Sequence, residues 1–264
     1  KKDRNKVEGV GVALGGVIHH QKGVVYWPQR EDSSAIYIAL PLKEYLEEKF
    51  HLPIILENDT NACAWAEYAS NFSSQEHLLY FFSGIGSGLV LNGQLYRGRD
   101  GGAGELFLHP KKKMHSLLGD FSFLRQWSVD LGMVDRAKEG ISLGRTTGLL
   151  KRVSSTGELK MRDIFAEAAG QDEFAREVLS EGAYCLGVKA AFMINLLNPE
   201  TVVLGGGVEE APEYFLHECV NTVKKFSFSE SRKGVSIVYS DLGKRAASLG
   251  GALLFFKKKL YRDT

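Results

Sequence analysis

The polar run at residues 57–61, Glu-Asn-Asp-Thr-Asn, follows a short apolar segment and precedes an alanine-rich one. This pattern places Asn58 and Asp59 between a buried strand and a helix, where open α/β sheets bind their ligands. Asn58 offers a donor and an acceptor to a sugar hydroxyl, and the Asp59 carboxylate accepts a hydroxyl proton or a hydrogen bond. The alternative is that Asp59 or Thr60 only caps the helix, and the local pattern by itself favours that cap.

Three glycine-rich runs, at residues 83–88, 98–105 and 205–207, are the other segments whose backbone suits a ligand. N–H groups in such runs approach phosphates closely because no side chain intervenes. A hairpin pattern follows the first run, which excludes a dinucleotide-binding fingerprint, and no P-loop pattern occurs. The second run ends in Glu105, whose carboxylate it presents to a ligand. Taken singly, each run is better explained as a structural turn.

Histidine and cysteine spacing predicts no metal site. The histidine pairs at 19/20 and 109/115 do not share a helical face with a carboxylate, and Cys63, Cys185 and Cys219 are far apart. The cysteines are expected to be buried and reduced. Neither zinc nor a disulfide framework is therefore expected.

Composition indicates an ordinary globular protein. The 264 residues are 44% hydrophobic and 25% charged, and 33 basic against 32 acidic side chains give a formal net charge of +1. A protein with so little net charge has no overall electrostatic field that would attract nucleic acid or an anionic membrane. No apolar run is long enough to span a bilayer, so a cytoplasmic location is expected.

Apolar periodicity predicts alternating strands and helices, with one hairpin at Asn92-Gly93, where a type I′ turn is favoured. This order predicts an α/β architecture with a mixed sheet. The expected strands are 7–14, 23–27, 52–56, 78–82, 89–91, 94–96, 201–204 and 235–239. The expected helices are 40–50, a helix beginning just after Thr60, 172–197, 213–225 and 246–260.

Taken in order, these motifs closely resemble the ROK family of sugar kinases and sugar-responsive repressors, over about residues 7–255. The matching segments are 9–12 with 15–16, 52–53 before 57–62, 83–89, 92–93, 98 with 103–105, and 198–200 before 205–207. The resemblance implies the ribonuclease H-like (actin-like ATPase) fold, with sugar and ATP in a cleft between two lobes. The first lobe would comprise residues 1–72 and 246–264, and the second residues 75–245.

The resemblance also implies individual roles. Asp59 matches the catalytic base that takes the proton from the attacking sugar hydroxyl, and it also contacts the sugar. The other matched sugar contacts are Gly16, Asn58 and Glu105, and the matched nucleotide contacts are Ser83, Gly84, Gly86, Gly205, Gly206 and Gly207.

Two departures from the family pattern change the expected activity. The family usually opens with a strand and an Asp-x-Gly-x-Thr phosphate loop, and this sequence begins downstream of it, so the first lobe is expected to be incomplete and phosphoryl transfer inefficient. The family also has a histidine three residues after its glutamate, followed by a cysteine-rich zinc loop. Leu108 stands at that histidine position, with His109 one residue late as the candidate sugar contact through a local bulge, and residues 114–127 lack cysteine.

We therefore expect the sugar-sensing part of a ROK transcriptional regulator with weak or lost kinase activity. The alternatives are a hexose or N-acetylhexosamine kinase that uses ATP and Mg²⁺, and a degenerate oligomerisation module without a ligand. A homo-oligomer is expected by analogy with the family. DNA contact is expected only through a helix-turn-helix module, which this sequence lacks.

Overall fold

A computed structural model describes residues 7–28, 37–83, 86–106 and 132–260 of the chain. It is a mixed α/β protein, as the sequence predicts. The strands are β1 (Val10–Leu14), β2 (Val17–His19), β3 (Val24–Pro28), β4 (Tyr37–Leu40), β5 (Ile54–Asn58), β6 (Leu78–Phe82), β7 (Gly86–Leu91), β8 (Gln94–Tyr96), β9 (Thr201–Gly205) and β10 (Ser236–Tyr239). The helices are α1 (Leu42–Phe50), α2 (Asp59–Asn71), α3 (Met133–Ser142), α4 (Leu149–Thr156), α5 (Met161–Ala169), α6 (Glu173–Leu197), α7 (Glu213–Phe226), α8 (Ser229–Arg232) and α9 (Ala246–Leu260).

The strands form three sheets within the described residues. β1 pairs in parallel with β5, and β2, β3 and β4 form an antiparallel sheet. The third sheet has the order β10-β9-β6-β7-β8, in which β9 and β10 are parallel and β7 and β8 are antiparallel. Asn92 and Gly93 between β7 and β8 have φ angles of 53° and 68°, which confirms the predicted turn with two positive φ values.

The structure differs from the sequence prediction at several elements. β5 runs on to Asn58, and α2 begins at Asp59 rather than after Thr60. The short strands β2 and β4 and the separate helices α3, α4 and α5 were not delineated from the sequence. Gly132 and Gly148 stand at the N-cap positions of α3 and α4, and neither helix has a side-chain cap, so the usual start signal is missing.

The chain divides into two compact units. The first comprises Lys1–Tyr80, Ser87–Glu105 and Asp241–Thr264, and the second comprises Phe81–Gly86 and Leu106–Ser240. This division differs from the expected lobes mainly at Ser87–Glu105, which was assigned to the second lobe. A Cβ atom at Gly88 would lie 2.6 Å from the carbonyl oxygen of Thr60, so β7 packs against the backbone of α2.

In the first unit, α9 packs on β1 and α2 through contacts that only glycine permits. A Cβ atom at Gly11 would lie 2.0 Å from the carbonyl oxygen of Gly251, and one at Gly250 would lie 1.8 Å from that of Ala62. A separate apolar cluster in this unit contains Ile18, Val25, Ile54 and Leu56. The strand and helix that flank the polar run at residues 57–61 are therefore held by close packing.

In the second unit, α6 is a 25-residue helix with clear ends. The Asp172 side chain caps its start by accepting a hydrogen bond from the backbone N–H of Ala175 at 2.8 Å, and Asn198 ends it in the left-handed conformation before Pro199. Lys189 lies inside this helix and is only 1% exposed. Burial lowers the pKa of its amine to about 7, although the nearby Cys185 thiol acts in the opposite direction.

This buried amine predicts that the stability of the protein rises with pH above neutrality. The unfolded lysine keeps its proton to about its ordinary pKa of 10.5, whereas the folded one releases it near 7. Lys189 therefore binds more protons in the unfolded chain than in the folded one in this range, and its contribution should raise the free energy of unfolding by roughly 1 kcal/mol per pH unit. Urea unfolding at pH 7, 8 and 9 measures this slope. Lys189→Met should remove it, and equal slopes in both proteins would contradict the assignment.

Candidate functional site

The junction of β5 and α2 is fixed by Asn58, which is the N-cap of α2. Its Oδ1 accepts hydrogen bonds from the backbone N–H groups of Thr60 and Asn61 at 2.9 and 3.1 Å, and its Nδ2 donates to the carbonyl oxygen of Gly16 at 3.1 Å. The cap proposed from the sequence for Asp59 or Thr60 thus belongs to Asn58. Because Asn58 is buried and these bonds occupy its oxygen, its second amide hydrogen is the group left to donate to a ligand.

Asp59 lies in the first turn of α2, where the helix N-terminus stabilises a negative charge. Its Oδ1 accepts a hydrogen bond from the N–H of Thr60 at 2.8 Å. Its Oδ2 faces the Gly15–Gly16 turn, since a Cβ atom at Gly15 would lie 3.8 Å from it. The side chain is half-buried, so the carboxylate is positioned by the fold and still reaches solvent.

Glu105 provides a second carboxylate near Asp59. It is exposed to solvent, but its carboxyl group is partly desolvated, which raises its pKa, and the negative charge of Asp59 raises it further. The preceding residue is anchored, since the carbonyl oxygen of Gly104 accepts hydrogen bonds from the N–H and the hydroxyl of Ser87 at 2.8 and 3.1 Å. Two carboxylates and the Asn58 amide thus occur together in the first unit, a set suited to hydroxyl groups.

An ion pair between a buried glutamate and a partly exposed arginine supports this junction, and sequence reasoning missed it. Glu57 is 2% exposed, and its Oε2 accepts a hydrogen bond from Arg97 Nε at 2.7 Å. Its Oε1 accepts hydrogen bonds from the N–H of Asn58 and the side-chain amide of Asn61, both at 3.1 Å. Glu57 is a charged residue next to an apolar strand, and such a residue requires a buried partner. The position of Glu57 beside an apolar strand therefore indicated that it needs a partner, but the sequence did not identify Arg97 as that partner.

The predicted nucleotide loops lie in the second unit, where they bind each other. Ser83 is fully buried, and its N–H and hydroxyl donate to the carbonyl oxygens of Gly205 and Gly206 at 2.8 and 2.5 Å. The N–H of Gly207 donates to the carboxylate of Glu209 at 2.7 Å. These donors are the groups that a phosphate needs, and here they are used within the protein. The nucleotide-contact role that the family resemblance implies for Ser83 stays a prediction.

Gly84, Gly86 and His109 are the remaining predicted site residues. Gly86 begins β7, whereas Gly84 and His109 lie outside the described residues. Across the described ranges, no group of three His, Cys, Asp or Glu side chains is arranged to hold a metal ion. His115 and residues 114–127, which bear on the zinc prediction, also lie outside those ranges.

Comparison with known proteins identifies the class of protein. The ROK family model matches residues 1–258, so the chain belongs to the ROK family. With that assignment, the actin-like, ribonuclease H-like fold expected from the sequence is confirmed.

Both kinases and repressors occur among the relatives. The chain is 29% identical over 262 residues to a glucokinase of Halalkalibacterium halodurans, covering 96% of this chain and 77% of that protein. It is 27% identical over 248 residues to a putative xylose repressor of a Caldicellulosiruptor species, covering 92% of this chain and 61% of that protein. A ROK glucokinase of Streptomyces griseus, solved with glucose and AMPPNP, superposes with a TM-score of 0.75 at 25% identity, covering 94% of this chain and 81% of that one.

In the described parts of the chain, every helix is too short or too polar to cross a bilayer.

Proposed function

We propose that this chain binds a hexose-like sugar through Asn58, Asp59 and Glu105, and that it is the effector-sensing part of a transcriptional regulator. The observation that carries the proposal is the arrangement of the first unit, where the half-buried Asp59 carboxylate faces the Gly15–Gly16 turn and lies close enough to Glu105 to help raise the pKa of its carboxyl group. Carboxylates held in this way accept hydrogen bonds from sugar hydroxyls. DNA binding would be contributed by a helix-turn-helix module outside this sequence.

The contacts of the glycine loops favour sensing over catalysis. Phosphoryl transfer depends on donors and Mg²⁺ that neutralise the phosphates. The donors of Ser83 and Gly207 are already bonded to Gly205, Gly206 and Glu209. The kinase alternative has its own support in the similarity to glucokinases, one of which was solved with glucose and a nucleotide analogue.

Calorimetry with glucose, xylose, N-acetylglucosamine and N-acetylmannosamine, combined with a coupled ATP assay, distinguishes these functions. Sensing predicts sugar binding without sugar-dependent ATP turnover. Turnover above background would instead establish the kinase. Binding of no sugar would leave the oligomerisation module as the remaining alternative.

A homo-oligomer is proposed from an apolar surface on the second unit. Five large side chains, which we call the α6 face, are each 45–74% exposed: Tyr184, Phe192, Leu196, Phe226 and Phe228. Tyr184 and Phe226 are in edge-to-face contact at 5.8 Å, and Asn195 hydrogen-bonds to the backbone of both Phe226 and Phe228. The α6 face is therefore an exposed group of large apolar side chains, a feature that marks protein–protein contacts when it is contiguous.

The α6 face predicts that a charged substitution yields a monomer. Phe192→Glu combined with Phe228→Glu should lower the mass measured by light scattering after size exclusion to that of one chain, because two carboxylates would have to be buried. Leu143→Glu is the matched control, since Leu143 is 75% exposed and lies outside this face. A wild-type monomer, or a double variant with unchanged mass, would rule this interface out.

A further inference from the structure

Trp27 is an exposed aromatic residue beside the proposed sugar site, and neither the fold nor the family motifs gives it a role. It lies near the end of β3 and is 47% exposed, whereas Trp65 in α2 is only 8% exposed. An exposed indole is a large, rigid apolar surface with one polar edge. Ligand pockets commonly combine such a surface with a few polar groups.

The indole of Trp27 and the carboxylate of Asp59 border the same small space in front of Gly15. A Cβ atom at Gly15 would lie 3.8 Å from Asp59 Oδ2 and 3.8 Å from Trp27 Cη2, so these two atoms are separated by at most twice that distance. A Cβ atom at Gly16 would lie 3.5 Å from Trp27 Cε3, so the six-membered ring of the indole lies beside the backbone of both glycines. A flat apolar surface and a hydrogen-bonding group thus meet where the chain has no side chain.

We propose that Trp27 is a specificity-determining residue that stacks on the ring of the bound sugar while Asp59 binds one of its hydroxyls. A pyranose is amphipathic, because its hydroxyls lie around the rim and its axial C–H groups form apolar faces. An aromatic surface next to a carboxylate matches both parts of such a ring. The preferred ligand is therefore a pyranose with an uninterrupted C–H face, such as one with the gluco configuration. This inference rests on the proposed sugar binding.

Substitution of Trp27 tests the stacking directly. Trp27→Ala should weaken sugar binding about tenfold or more, because an entire aromatic contact is lost. Trp27→Phe keeps a flat ring and should retain affinity within a few-fold. Sugar should also change the tryptophan fluorescence of the wild type, and this change should disappear in Trp27→Phe. Trp65→Phe is the control, since Trp65 packs under the Lys257 amine, 3.9 Å from its ring centroid, and the fluorescence change should persist.

Gly15→Ala tests the position of the sugar without removing a contact. Gly15 does not have a positive φ, and contacts of 3.8 Å are ordinary van der Waals distances, so alanine fits the folded chain. Its methyl group would occupy the space between Trp27 and Asp59. We expect an unchanged melting temperature and a loss of sugar affinity of at least tenfold.

The outcomes separate this inference from the proposed function. If the wild type binds no sugar, the proposed function fails. If the wild type binds sugar but Trp27→Ala and Gly15→Ala bind it equally well, sugar binding stands and the role of Trp27 is refuted. Weakening by both alanine variants together with retention by Trp27→Phe supports the stacking arrangement.

Discussion

Asp59→Asn should weaken sugar binding by about 1.5–3 kcal/mol, because a hydrogen bond to a charged acceptor becomes a bond to a neutral one. The folded structure should be little affected, since the Asn Oδ1 can still accept the hydrogen bond from the N–H of Thr60. Calorimetry with the best-binding sugar measures the change. The protein should show no ATP-dependent phosphorylation before or after the substitution.

Asp135→Asn is the matched control for this experiment. Asp135 is also an acidic residue in the first turn of a helix, but it lies in α3 of the second unit. Its substitution should leave sugar affinity unchanged. Unchanged affinity in Asp59→Asn would remove Asp59 from the site. ATP turnover that is present in the wild type and lost in Asp59→Asn would instead identify Asp59 as a general base. Removal of a general base lowers the turnover rate much more than it weakens substrate binding.

Gly250→Ala should destabilise the protein by about 3 kcal/mol or more, although alanine is normally the better helix former by about 1 kcal/mol. The added Cβ would lie 1.8 Å from the carbonyl oxygen of Ala62, which belongs to the backbone of α2 and cannot rotate away. Accommodating the methyl group would push α9 away from α2. Urea unfolding measures the change in the free energy of unfolding.

Gly182→Ala provides the comparison, because Gly182 is also a glycine inside a helix. A Cβ atom there would lie 2.7 Å from the sulfur of Met133, the movable end of a flexible side chain. The loss of stability should be clearly smaller than at Gly250. Equal effects at both positions would mean that the backbone contact with Ala62 is not what limits the packing of α9.

The sequence predicted the elements around the site better than the contacts within it. The hairpin at Asn92-Gly93 and the ends of α6 were predictable because local chemistry sets them: left-handed residues at the turn, and Asp172 and Asn198 at the helix termini. At the β5–α2 junction the sequence pattern predicted only Asp59 or Thr60 as the cap, and the structure assigns the cap to Asn58 instead. Asn58 became the cap because its amide also reaches Gly16, a contact between residues far apart in the chain.

Long-range pairing explains the other differences. The partner of Glu57 is Arg97, forty residues further on, and nothing in either local pattern connects them. Ser83 was predicted as a phosphate ligand from its glycine-rich neighbourhood, but its donors bond to Gly205 and Gly206 in a loop that only the folded sheet brings near. Glycine runs indicate where backbones approach closely, and they do not distinguish a ligand from another part of the same chain.

The contacts of α9 have a consequence for how the protein forms. β1 and α2, which lead into and out of the proposed sugar site, pack against Gly250 and Gly251, and the carboxylate of Glu67 in α2 accepts a hydrogen bond from the N–H of Leu242 at 3.1 Å. During synthesis, residues up to about 105 emerge long before these partners, and closing so long a loop is slow. The second unit can fold while the first remains unfinished. Formation of the proposed sugar site would thus depend on α9 having emerged from the ribosome and packed against β1 and α2.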